Sequence, residues 1–263
     1  MIKELYHYWT TPCSPAARKL GYLKELIAIE ARARRIAPYW KSHQEKSRKV
    51  ILQALDQCPR CDQAVILGGG LLFDIPLETL TKRFSEVVIV DIVLSKHLRT
   101  VKKRYPNVIC LEHDITGTAE ALADIETGKP LPKPSNRLPE ILAKADFVAS
   151  VNLLSQLPLI PCEWLIKKGI DGQLIDDWCS QIINAHLEQL NQLTGNVCLI
   201  TDTEHHYLDR SGKCHKQIDM MNGLQLPAPD QQWQWSIAPC SEAGRNCEIV
   251  AAVSAWEKWH QID

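Results

Sequence analysis

From Ala64 onward, short runs of β-forming apolar residues alternate with longer stretches of helical period, and few folds accept that alternation. The runs are Ala64–Leu67, Val87–Val90, Val108–Leu111, Phe147–Val151 and Val197–Thr201. Each is apolar at consecutive positions, so both faces of the strand must be covered. Helical stretches fit between them at Leu77–Phe84, Lys96–Arg104 and Gly172–Leu193. Strands covered on both faces and separated by helices build a doubly wound α/β sheet that is mostly parallel. Trp233–Ile237 and Cys247–Val253 flank the turn-forming residues Ser241–Arg245, which predicts a C-terminal antiparallel hairpin. Residues 124–139 hold Gly128, Pro130, Pro132, Pro134 and Pro139 and read as an exposed loop.

The first sixty residues follow another pattern. Ser14-Pro15 reads as an N-cap followed by a proline at the first helical position, where a missing N–H costs nothing. Leu20, Leu23, Ile27 and Ala31 recur at helical spacing, Arg32, Arg34 and Arg35 load the last turn, and Pro38 follows as a stop. A second helix from Tyr39 to Leu55 turns Trp40, Val50, Ile51 and Leu55 inward. The predicted organisation is a helical extension over 1–60 and a Rossmann-like domain over 61–263.

Residues 1–60 carry 12 Lys/Arg against 5 Asp/Glu in a chain of net charge −1. The asymmetry permits an anionic partner such as nucleic acid, but a solvated helix face is the favoured reading. No run approaches the roughly 18–20 apolar residues of a membrane span, and Met1-Ile2-Lys3-Glu4 lacks the apolar run of a signal peptide. A cytoplasmic location follows as the expectation. The ten cysteines are scattered, and Cys110 and Cys198 lie inside apolar runs as small hydrophobes, so no disulfide framework is expected.

Three strand ends carry the chemistry of a nucleoside pocket. Gly68-Gly69-Gly70 follows the first strand, where absent side chains let a ligand approach the backbone. Asp91 closes the second strand, 21 residues after Gly70, where a carboxylate takes a ribose diol. Asp114 follows the third strand in His113-Asp114-Ile115-Thr116, placed to reach an adenine amino group.

Over roughly residues 60–255 these segments resemble the class I S-adenosylmethionine-dependent methyltransferases. The likeness rests on Val65-Ile66-Leu67-Gly68-Gly69-Gly70, Val88-Ile89-Val90-Asp91, Glu112-His113-Asp114-Ile115 and Ala145–Leu157. It is strongest to a bacterial branch that combines Leu-Gly-x-Gly-Leu-Leu-x-Asp-x-Pro-Leu with Asn-Leu-Leu-Ser-Gln-Leu-Pro. The resemblance implies S-adenosylmethionine as cofactor and methyl transfer as activity. It would set Gly68 and Gly70 beside the methionine part, Asp91 on the ribose, Asp114 on the adenine, and Asn152 in the methyl-transfer cleft. Ile66 and Leu72 depart from the family pattern, and they motivate a second reading, a non-catalytic nucleoside binder of the same fold. A third is a nucleic-acid-associated module using the basic front helices. A nicotinamide dinucleotide is disfavoured, because Asp74 reads as the N-cap before Ile75-Pro76-Leu77 and sets a carboxylate where a pyrophosphate would bind.

His205 and His206, read as rim residues after the fifth strand beside Asp202 and Glu204, are candidate acid–base groups. Asn152, Ser155 and Gln156 leave the fourth strand in otherwise apolar surroundings; an amide there aligns a nucleophile or caps a helix. Cys58-Pro59-Arg60-Cys61 is half of a zinc knuckle without its second half, so no metal is expected. Trp164, Trp178, Trp233 and Trp235 suit core packing or a subunit contact and receive no site role. Nothing after the fourth strand matches the Asn/Asp-Pro-Pro-aromatic segment of DNA amino-methyltransferases, and the sequence specifies neither acceptor nor oligomeric state.

Overall fold

The computed structural model describes residues 2–244 and 247–259. Eight strands form one sheet: β1 (Gln63–Leu67), β2 (Glu86–Asp91), β3 (Val108–Glu112), β4 (Phe147–Val151), β5 (Asn196–Leu208), β6 (Cys214–Asp219), β7 (Gln231–Ala238) and β8 (Glu248–Trp256). Their order is β3-β2-β1-β4-β5-β8-β7, with β6 paired to β5 off this path. The pairings among β1 to β5 are parallel, and β6, β7 and β8 join antiparallel. The predicted sheet and its C-terminal hairpin are therefore present. A short helix, Cys240–Ala243, occupies much of the expected turn, and Arg245 lies outside the described residues.

The unbroken apolar runs serve both faces at once. Val65 and Leu67 of β1 enter one core cluster, while Ala64 and Ile66 enter the other. Helices α9 (Leu159–Lys167) and α10 (Gly172–Asn191) cover the first cluster through Leu165, Ile175, Trp178 and Ile183. Helices α4 (Ala37–Asp56), α5 (Leu77–Arg83) and α6 (Lys96–Arg104) cover the second. Gly195 fits only as glycine, since a Cβ there would stand 2.1 Å from the Ala145 carbonyl oxygen.

The front segment differs from the two helices expected. It forms α1 (Ile2–Thr10), α2 (Pro15–Leu20), α3 (Tyr22–Arg35) and α4. Ser14 caps α2 as predicted, accepting from Ala17 N at 3.1 Å. Gly21, in the left-handed region at φ +106, then breaks the helix that the apolar spacing ran through. Pro38 opens α4 instead of ending α3. Val50, Ile51 and Leu55 are fully buried on the sheet, and each such side chain stabilises the fold by about 1.5–3 kcal/mol.

One expectation about the cysteines is overturned. Cys162 and Cys179 form a disulfide between α9 and α10, two helices that pack together. Seventeen residues across a helix–turn–helix form no recognisable cysteine motif, so the pairing has no signature in the sequence.

Candidate functional site

The strand order reverses between β1 and β4, so the loops leaving their C-terminal ends diverge and open a crevice. A cavity of about 450 Å³ fills it, and Gly68, Gly69, Gly70, Asp91, Asp114, Asn152 and His205 all reach its wall. Gly68 N and Gly69 N donate to Val90 O at 3.0 and 3.2 Å, folding the loop back over β2. The close approach requires glycine at Gly69, where a Cβ would meet Ile89 Cγ2 at 2.2 Å. At Gly70, by contrast, the protein leaves that position open, with Gly68 O at 4.0 Å the nearest atom.

Asp91 organises this loop. Its Oδ2 accepts from Gly70 N at 2.7 Å and its Oδ1 from Val93 N at 3.2 Å. Burial pushes its carboxyl above the usual carboxylate range, against the opposing pull of those N–H groups. Asp114 is also engaged: Oδ1 accepts from Thr116 N and Oγ1 at 2.9 and 2.7 Å, and Oδ2 from Ala119 N at 2.7 Å. It shapes the turn into α7 (Ala119–Ala123). Tyr22 of α3 lines the same end; burial, with the Asp114 charge adding, pushes its phenol up and keeps it a neutral O–H.

Asp74 is not a helix cap. The N-cap of α5 is Pro76, and Asp74 Oδ2 instead accepts from Asn152 Nδ2 at 3.0 Å. The same amide nitrogen lies 2.9 Å from Nε2 of the buried His43, whose Nδ1 accepts from Trp233 Nε1 at 3.1 Å. Asn152 sits in the left-handed region at φ 52, and its Oδ1 is buried with no partner among the described residues. The amide thus ties the loop after β1 to the end of β4.

His205 and His206 do not lie on a loop after the fifth strand. β5 continues through both, to Leu208. Its pairing with β8 slips by one residue between Asp202 and Glu204, a bulge at Thr203. In a regular strand, residues three apart face opposite ways; the extra residue restores one face to Asp202 and His205. His205 Nε2 consequently lies 2.5 Å from Asp202 Oδ2, and both line the cavity. His206 falls on the other face, 2.7 Å from Glu204 Oε2, away from the cavity. Ser155 Oγ donates to Asp202 Oδ1, so Ser155 is neither helix cap nor free.

Other participants carried no signal in the sequence. One face of α3, with Tyr22, Glu25, Leu26, Ile29 and Arg32 at spacings of one to three, roofs the cavity. Trp40 and Trp235, read as packing residues, also line it, with ring centroids 5.5 Å apart. The Cys58–Cys61 segment lies elsewhere: the Cys58 thiol donates to Arg60 O and Asp146 O at 3.0 and 3.3 Å, and Cys61 Sγ accepts from Arg83 Nε at 3.4 Å. Of the front basic residues, Lys19 pairs with Asp124 at 2.9 Å and Arg35 with Glu242 at 2.7 Å.

No protein-family model and no curated protein matches the chain. Among solved structures it is similar to N-methyltransferase NodS from Bradyrhizobium japonicum WM9, in complex with S-adenosylhomocysteine, at 10% identity and TM-score 0.40 over 82% of this chain and 87% of that one. It is similar to the 1,6-didemethyltoxoflavin-N1-methyltransferase of Burkholderia thailandensis at 11% identity and TM-score 0.41, over 93% of both chains. It is also similar to magnesium protoporphyrin IX methyltransferase of Synechocystis PCC 6803 at 12% identity and TM-score 0.37, over 96% of this chain and 90% of that one. By its own strand order, a parallel β3-β2-β1-β4-β5 sheet completed by antiparallel β8 and β7, the chain has a Rossmann-like α/β fold of the methyltransferase type.

Proposed function

We propose that the protein binds S-adenosylmethionine in the crevice and transfers its methyl group to an acceptor. One observation carries the reading: the glycine loop, Asp91 and Asp114, at the ends of three adjacent strands, converge on one cavity at the reversal of the strand order. Gly68 and Gly70 would flank the methionine part, with Gly69 fixing the loop beneath it. Asp91 would accept from the ribose hydroxyls, and Asp114, from a loop shaped by its own hydrogen bonds, would face the adenine. Asn152, held by Asp74, keeps an unpartnered Oδ1 at the β4 side of the cleft. When bound, the sulfonium supplies an electrophilic methyl carbon; the protein need only align a nucleophile with it.

A dinucleotide fits less well, for a reason different from the sequence-based one. Helix α5 begins at Leu77, seven residues beyond Gly70, so no helix N-terminus follows the glycine turn to receive a pyrophosphate. Calorimetry on the full chain tests the proposal: S-adenosylmethionine and S-adenosylhomocysteine should bind and NAD should not, and the reverse would refute it. A non-catalytic binder would give the same calorimetry, and product analysis after incubation with acceptors separates the two.

A further inference from the structure

The bulge at Thr203 assembles a group that cofactor binding alone does not require. Asp202 is 3% exposed, and both its oxygens are engaged, Oδ1 by Ser155 Oγ–H and Oδ2 by His205 Nε2. Ser155 is itself fixed, its backbone N donating to Thr201 Oγ1 at 3.3 Å. A carboxylate can only accept, so Nε2 of a neutral His205 carries the proton and the lone pair resides on Nδ1. Nδ1 has no partner among the described residues, and the ring lines the cavity. The cavity wall also carries apolar Leu26 and Ile29 of α3, Trp40 of α4, and Trp235 and Ile237 of β7, beside polar Glu25, Arg32 and Gln44. The cavity, about 450 Å³, has the size of a small-molecule site.

We propose that the acceptor is a small planar molecule bearing a weakly acidic aromatic hydroxyl or ring N–H, and that His205 Nδ1 is the base that removes its proton. This rests on the methyl-transfer reading above. The proton passes to Nδ1, the freed lone pair forms the bond to the methyl carbon, and the carbon–sulfur bond breaks with its electron pair returning to sulfur. The imidazolium then releases its proton to water. His205 is the catalytic residue. Asp202 and Ser155 are positioning residues: they hold the ring in one tautomer and place a negative charge against the nitrogen that must stay protonated.

The test uses the full chain with S-adenosylmethionine and four probes, catechol, 1-naphthol, benzimidazole and indole, with methylated product measured by mass spectrometry. At least one probe should be methylated. His205→Ala should then lower kcat by about 10²–10⁴-fold, the usual worth of a positioned base. It should leave S-adenosylhomocysteine binding unchanged and regain turnover with added imidazole. Asp202→Asn should lower kcat with little change in KM; Ser155→Ala, a gentler change should that variant not fold, should do the same to a smaller degree. His206→Ala, outside the cavity, should retain turnover. Wild-type protein that binds S-adenosylmethionine but methylates none of the four probes would overturn the acceptor class. A folded His205→Ala with undiminished kcat, or one that imidazole does not rescue, would overturn the base. Failure of the cofactor reading looks different, because the wild-type protein would then not bind S-adenosylmethionine at all.

Discussion

Replacing Asp91 tests the cofactor site most directly. Its carboxylate accepts from Gly70 N and Val93 N, so Asp91→Ala removes the proposed ribose acceptor and also unpins the glycine loop. Hydrogen bonds to charged groups are worth about 1.5–3 kcal/mol, so loss of the ribose contact alone should weaken S-adenosylhomocysteine binding about 10–150-fold. Asp91→Asn keeps the shape but turns an N–H donor toward Gly70 N or Val93 N, and should fall between wild type and alanine. The pH dependence has a definite sign. Burial raises the Asp91 pKa, so its charge costs the folded state stability at neutral pH, and that cost disappears as pH falls through the raised value toward the ordinary carboxylate range. Ribose binding favours the charged acceptor, so wild-type affinity should rise with pH across that interval, and the dependence should vanish in Asp91→Ala. Titration calorimetry at several pH values reads both effects. An unchanged Kd in a variant shown folded by circular dichroism would refute the argument.

Three other outcomes are expected. Gly69→Ala drives a Cβ into the buried, β-branched Ile89; overpacking of about 1–3 kcal/mol should lower Tm by about 2–4 °C per kcal/mol, and an unshifted melting curve would contradict the clash. His186, wedged between Ser150 Oγ at 3.0 Å and Gln189 Oε1 at 2.9 Å, has its pKa pulled down to about 4 by burial. The unfolded chain binds that proton first, so the wild type should lose about 2 kcal/mol between pH 7.5 and pH 5 in urea titrations, a loss absent from His186→Gln. EDTA should change neither Tm nor S-adenosylhomocysteine binding, since among the described residues no three His, Cys, Asp or Glu gather as a metal set; one equivalent of zinc by elemental analysis would disprove this.

The strands β1, β2 and β4 were legible because they are buried on both faces, and consecutive apolar residues report that directly; β3, a half-buried edge strand, was legible from its apolar run alone. β5 was legible only to Thr201. Beyond it the strand turns polar and half-buried, held by pairing with β6 and β8 instead of by its own side chains. β6 is exposed at nearly every position and leaves no hydrophobic trace. The convergence of Gly68, Asp91 and Asp114 on one cavity was readable because each sits at a strand end, a place the strand pattern locates. The rest of the site depends on contacts across long stretches of chain. Asp74 meets Asn152 across 78 residues, and Ser155 meets Asp202 across 47. Whether His205 or His206 faces the cavity turns on one bulged residue, which side-chain periodicity cannot reveal.

The anchoring of α4 also bears on how the chain is made. Trp40 Nε1 donates to Ile237 O at 3.1 Å, a bond spanning 197 residues, and α4 packs against β7 near the other end of the sequence. At a synthesis rate of roughly 5–20 residues per second, a ribosome needs about 10–40 s to deliver that partner. For that interval the apolar face carrying Trp40, Val50, Ile51 and Leu55 has emerged without the strand that completes its cover. The nascent chain therefore presents this apolar helix face early and completes its cover late, which makes the segment a natural place for a chaperone to act during translation.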